Sequence, residues 1–178
     1  MPLVFRPERP YTVRNLTIVF LPPSTRNGWE KPMEHTFLFR EAEWVANGNY
    51  SDEQNRRRPA TGSAKISHTE KGWINAGSMM MLAETGLVTF ENRYFITPFE
   101  EGKEYTDLKS ENPAFGTLSG KLMLVGDSIL AVCSSEDGST VSVEYLRMLD
   151  EAHYENRGFL LRNGEKVGSW DLELHQKE

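Results

Sequence analysis

The sequence predicts an all-β fold, an antiparallel up-and-down β-barrel of roughly ten strands with little helix. Three observations carry that expectation. Short runs of alternating apolar and polar residues recur along the chain, and helical periodicity over longer windows is hard to find. The runs repeat at intervals of about 8–12 residues, as strands of a sandwich or barrel do. From Gly62 onward the order is up-and-down, and closing such a meander removes the aggregation-prone edges that a flat sheet would expose.

The elements follow in order. Residues 1–10 hold three prolines and charged side chains and read as an extended N-terminal segment of the single domain expected over 1–178. Tyr11–Leu21 is rich in Val, Ile and Phe and reads as a strand ended by Pro22-Pro23, which remove backbone donors. His35–Ala46 reads as a second long strand, changing face near Arg40–Glu41 as a bulge would make it do. Residues 47–61, with Gly48, Pro59 and the basic run Arg56–Arg58, are expected to break regular structure.

Hairpins then come quickly. Gly62–Thr69 turns through Glu70-Lys71-Gly72 into Trp73–Leu82, and Thr85-Gly86 leads to Leu87–Asn92. Asn92-Arg93 is expected to turn the chain into Tyr94–Phe99. Phe115–Val125 returns through Gly126-Asp127 into Ile129–Ser134, and Asp137-Gly138 is a strong hairpin signal before Thr140–Leu149. Asp150–His153 reads as one helical turn. Tyr154–Arg162 and Val167–His175 form the last hairpin about Asn163-Gly164, with Trp170, Leu172 and Leu174 on one face.

Composition excludes some function classes. The 20 Lys and Arg against 26 Asp and Glu give a net charge of −6, so a nonspecific hold on nucleic-acid phosphates has no electrostatic footprint. Cys133 is the only cysteine, which excludes an internal disulfide framework and fits a reducing, cytoplasmic setting. The start of the chain lacks the apolar stretch of a secretory signal, and no apolar run approaches the ~20 residues of a membrane helix. Common hydrolase, nucleotide and zinc-protease motifs are missing, and the four histidines share no metal-ligand spacing. The sequence names no cofactor and sets no oligomeric state.

The meander over Gly62–His175, the early Gly48-Asn49-Tyr50, and the late Ser135-Glu136-Asp137-Gly138 and Val143-Glu144-Tyr145-Leu146-Arg147 resemble the calycin group. That group includes lipocalins, fatty-acid-binding proteins and bilin lyases. The resemblance implies a barrel holding a small hydrophobic or amphipathic ligand, sometimes with chemistry performed on it. Tyr145 and Arg147, two apart on one strand, share a face with Val141 and Val143. They are similar, in reversed order, to the Arg-x-Tyr pair with which fatty-acid-binding proteins hold a carboxylate, so an anionic ligand is expected. The other reading of Arg147 is an ion pair with a protein carboxylate near Glu144 or Asp150.

Further candidates complete an amphipathic pocket. His68 continues the Ala64 and Ile66 face and could serve as a general base or a haem ligand. Trp73, Met79 and Met81 share one strand face, while Trp44, Tyr94 and Phe115 could reach across the barrel; packing of a filled core is the plainer role for all of them. Gly158 either admits a ligand or permits curvature. The functions in competition are a ligand-binding barrel, a barrel enzyme of the isomerase, cyclase or lyase type, and a filled barrel that binds proteins through a rim including Arg56–Arg58.

Overall fold

The computed structural model of the protein describes residues 34–84 and 86–178. The extended segment 1–10, the strand expected over Tyr11–Leu21, and with them the reach of the domain over its N-terminal part, lie outside the described residues. The described residues contain no helix, hence none long and apolar enough to cross a membrane.

Ten strands form one closed barrel: β1 (Ala42–Asp52), β2 (Arg57–Thr69), β3 (Gly72–Ala83), β4 (Gly86–Ile96), β5 (Tyr105–Asn112), β6 (Gly116–Val125), β7 (Ser128–Ser134), β8 (Thr140–Asp150), β9 (His153–Arg162) and β10 (Glu165–Gln176). Each strand pairs antiparallel with the next, and β1 closes the ring on β10 from Trp44 against Gln176 to Asp52 against Gly168. A closed, antiparallel up-and-down barrel is therefore the architecture, and period-2 alternation sets what faces inward. Ile66, Ile96, Leu108, Leu118, Leu122, Ile129, Leu146 and Leu174 point into the core, while the outer face carries ion pairs such as Lys65 with Glu43 and Lys109 with Glu111.

Several boundaries differ from the sequence expectation, each for a physical reason. His35–Glu41 is not strand. Its backbone turns, with the Arg40 amide donating to the Thr36 carbonyl at 3.0 Å, and the buried Thr36, Phe37 and Leu38 close one end of the barrel. Residues 47–61 instead supply most of the β1–β2 hairpin. Gly48 tolerates the close crossing of β10, where a Cβ would meet the Leu172 Cα at 2.8 Å, and Asn55, at φ 62°, helps to make the turn. Arg56 to Arg58 sit at that turn already ion-paired with Asp52, Asp171 and Glu84.

β4 runs straight through Asn92-Arg93, so no turn exists there. The unpredicted β5 is nearly all polar, because Tyr105, Asp107, Lys109 and Glu111 face water and only Thr106, Leu108 and Ser110 are buried. Glu151-Ala152 is a hairpin turn rather than a helical one. The face of β8 is inverted relative to expectation. Thr140, Leu146 and Met148 are buried, which turns Val141, Val143, Tyr145 and Arg147 outward.

The closing segment is held by buried polar contacts. The Tyr154 hydroxyl on β9 accepts from the backbone amides of Thr36 at 2.9 Å and Phe37 at 3.2 Å, and Thr36 Oγ1 donates to the Glu151 carbonyl at 2.6 Å. His35 Nε2 lies 3.2 Å from the Gly126 carbonyl, and His68 Nε2 lies 2.7 Å from that of Leu38. Leu38 has φ 72°, a conformation costly for a branched side chain, and these contacts together with its burial keep it there.

Candidate functional site

Above the closing segment lies a cavity of about 190 Å³. Phe37 and Leu174 lie at its base, and Met79, Tyr94, Phe115, Leu118, Leu160 and Trp170 supply apolar walls. A buried polar line crosses it. Glu144 projects inward from β8, flanked by Ser142 and Leu146 on the same face. Asn156 of β9 donates to Glu144 Oε1 at 2.7 Å, and Trp170 Nε1 of β10 donates to Asn156 Oδ1 at 2.6 Å.

From the other side the Tyr94 hydroxyl acts on Glu144, drawing its carboxyl down, and Asn92 acts in the same sense on the Tyr94 phenol. Ser110 Oγ donates to Asn92 Oδ1 at 2.8 Å. Polar groups on both sides thus surround one carboxylate. Burial away from bulk water pushes the Glu144 carboxyl above its ordinary value, and the bonds from Asn156 and Tyr94 pull it back only in part. Burial likewise raises the Tyr94 phenol well above its usual range. An ionised carboxylate offers about four lone-pair directions, so two donors leave Glu144 with acceptor capacity toward the cavity. Asn75, also on the cavity wall, has a buried Oδ1 with no partner.

Glycine makes this geometry possible at Gly158, where a Cβ would lie 2.6 Å from Trp170 Cε2 and 2.7 Å from the Val143 carbonyl oxygen. The missing side chain there admits the Trp170 ring, neither a ligand nor mere curvature.

Of the residues expected at the site, Met79 and Tyr94 line the cavity. Met81 is buried at the edge, in a cluster with Tyr50 and Ala60. Trp44 is core, packed edge-on against Phe37 and Tyr154, with its Nε1 unpartnered. His68 stacks on Trp73 with centroids 4.8 Å apart, and Trp73 meets Phe39 edge-on at 5.1 Å. With its Nε2 committed to Leu38, His68 anchors the closing segment and is not among the residues that line the cavity.

Tyr145 and Arg147 stand on the outer face. Arg147 pairs with Glu155 at 3.3 Å and is 43% exposed, and Ser128 Oγ donates to the Tyr145 hydroxyl at 3.3 Å. The protein-carboxylate reading of Arg147 therefore holds, with Glu155 in place of the two acids considered. The interior polar residue is the intervening Glu144. An inverted face on β8 is why sequence reasoning missed it, although Glu144, Asn156 and Trp170 all sat at inward-compatible, alternating positions.

No protein-family model and no curated protein matches this sequence. Solved structures match in shape. An S-type phycobiliprotein lyase from Guillardia theta superimposes with a TM-score of 0.56 at 9% identity, over 78% of this chain and 88% of that one. Neisserial surface protein A gives a TM-score of 0.35 at 8% identity, over 76% of this chain and 94% of that one. The first likeness is one of fold alone.

Proposed function

We propose that the barrel binds a small, largely apolar molecule that presents a hydrogen-bond donor or a cationic group to Glu144. One observation carries this reading. A carboxylate set inside the barrel, half-buried and already bonded by Asn156, faces a cavity whose lining contains no Lys, Arg or His among the described residues. Burying such a carboxylate costs several kcal/mol unless partners compensate, and a ligand donor would supply the missing compensation.

An anionic ligand, the expectation from Tyr145 and Arg147, would meet a carboxyl and no cation, so the donor replaces it here. The volume suits a one- or two-ring molecule. Apolar walls reward its burial at about 25 cal/mol per Å² of surface removed from water. The phycobiliprotein lyase likeness supports a ligand-holding role at the level of the fold. A barrel enzyme of the isomerase or lyase type draws support from the same carboxylate, since a raised pKa is what a general acid–base near neutral pH requires. Conversion of the bound molecule would separate the two. The raised thiol of Cys133, pushed up to about 11 by burial, fits an inert core residue in a reducing, cytoplasmic setting.

Indole, which carries an N–H, and benzofuran, which has the same shape without it, test the reading. Calorimetric titration should show indole binding more tightly by about 1.5–3 kcal/mol, the usual worth of a hydrogen bond to a charged group. Glu144→Gln should erase most of that preference while the protein stays folded. Equal affinity for the two rings, or no binding of either, would overturn the proposal.

A further inference from the structure

We infer that molecules reach the cavity sideways, through the seam between β4 and β5, an inference that rests on the binding reading above for its ligand but not for its motion. Among the described residues one end of the barrel is closed and ring contacts narrow the other. One is closed by Thr36, Phe37 and Leu38, tied down by buried bonds to Tyr154 and Glu151. Toward the other, the Tyr50 ring stacks on Phe90 of the facing β4 at 5.4 Å, and the Arg162 guanidinium covers Phe115 at 5.2 Å.

The wall is uneven. The β3–β4 ladder runs from Trp73 to Ala83, but β4 pairs with β5 only from Arg93 to Ile96, the shortest ladder in the barrel. Beyond Arg93, the Gly86–Glu91 part of β4 has no neighbouring strand on that side among the described residues. Two side-chain bonds continue the seam where the ladder stops: Ser110 Oγ to Asn92 Oδ1 at 2.8 Å, and Asn112 Nδ2 to the Glu91 carbonyl at 2.9 Å.

A groove on the outside begins at this place. It is lined by Glu91, Asn92, Asn112 and Gly116 among others, and it shares Ser63, Gly77, Ser78, Glu91, Asn92 and Asn112 with the lining of the inner cavity. At Gly77 a Cβ would find its nearest neighbour at 3.6 Å, so the wall there is thin for want of a side chain, not for want of space. On the β4–β5 side, Asn92 and Asn112 are the bonded side chains between groove and cavity. Opening the seam there breaks polar contacts that water can replace, whereas opening either end disrupts packed aromatic rings or buried backbone bonds.

Asn92 thereby has two duties. It supports Tyr94 in the line to Glu144, and it closes the seam through Ser110. An incoming donor that displaces Ser110 from Asn92 passes directly toward Tyr94 and Glu144.

The experiment combines a lock with a loosened seam. Continuing the β4–β5 register sets position 92 opposite 112, so the double variant Asn92→Cys, Asn112→Cys can be bridged by a disulfide. Ser110→Ala removes one of the two clasps. Amide hydrogen exchange without ligand should show the 93–96 and 108–111 ladder opening more readily than the β2–β3 and β9–β10 ladders, and still more readily in Ser110→Ala. Equal protection of all the ladders would overturn the inference. Stopped-flow exchange of indole should slow by about tenfold or more in the oxidised double variant relative to its own reduced form, entry and exit alike, so that the two redox forms share one equilibrium affinity whatever the substitutions themselves do to binding. Unaltered exchange in the oxidised form, with bridging verified by thiol titration, would equally overturn it. A labile seam in a protein that binds no indole would support the opening and reject the binding reading.

Discussion

Gly158 lies directly beneath the indole of Trp170: a Cβ at that position would stand 2.6 Å from the ring's Cε2. This relationship between β9 and β10 sets the polar line, because the same indole donates to Asn156, which in turn donates to Glu144. Gly158→Ala should displace Trp170 and leave Asn156 and Glu144 short of a partner. A loss of about 1–3 kcal/mol is expected from overpacking together with a broken buried hydrogen bond. Urea unfolding measures the loss, and a shift in tryptophan fluorescence reports the displaced ring.

Tyr154 makes its hydrogen bonds to the closing segment through its hydroxyl. Tyr154→Phe keeps the ring against Phe37 and Trp44 but strands the amides of Thr36 and Phe37 in a buried setting. The expected cost is about 1–3 kcal/mol for a buried donor left unsatisfied. Hydrogen exchange at Thr36–Leu38 should accelerate more than exchange in β6 or β7.

The same segment is sensitive to acid through His35. Burial is the main cause that lowers its pKa below the ordinary 6.5, with the Gly126 carbonyl opposing. A base whose folded pKa is depressed contributes stability that is present above 6.5 and lost as pH falls from there through the folded value. Melting temperature should therefore decline below that pH, and His35→Gln should flatten the decline. An equal decline in the variant would assign the acid sensitivity elsewhere.

The fold was largely legible because hairpin chemistry is local. Asp137-Gly138 and Asn163-Gly164 fall where turns occur, and Trp170, Leu172 and Leu174 do share the inward face. What could not be read depends on distant partners. Phe37 and Leu38 look like strand residues until the barrel they close is present, and β5 looks like a loop because three buried side chains suffice to anchor it. Face assignment on β8 failed for a similar reason. Val141 and Val143 suggest an inner face by hydrophobicity, yet the curved sheet buries Leu146 and Met148, so Glu144 and not Arg147 enters the cavity. A lone acid between valine and tyrosine carries no local signal that its partners lie on β4, β9 and β10.

Asn163 and Gly164 have φ of 53° and 81°, the pair of positive values that a type I′ hairpin demands. No atom lies within 4 Å of a Cβ built at Gly164, so the cost of a substitution there is conformational and not steric crowding. Gly164→Val should lower stability by about 1–2 kcal/mol, the penalty for a β-branched side chain in the left-handed region. Gly164→Asn should cost less. Thermal melts of the two variants side by side measure the difference.

Glu144 imposes opposite pH trends on stability and on binding. Its carboxyl sits above the ordinary 4.5, chiefly because burial disfavours the charged form, with Asn156 and Tyr94 offsetting part of that shift. An acid with a raised folded pKa holds more protons folded than unfolded in the window between the two values. Its contribution to stability is therefore full below 4.5 and is lost as pH rises through the folded pKa. Glu144→Gln should remove that loss, making the empty variant more stable than the wild type on the alkaline side of the window. Binding runs the other way. A donor such as indole prefers the ionised carboxylate, so its affinity should rise with pH across the same window, while the Gln variant shows a flat profile. Paired melts and indole titrations over that range check both slopes, and parallel profiles in wild type and variant would show that Glu144 does not titrate at the site.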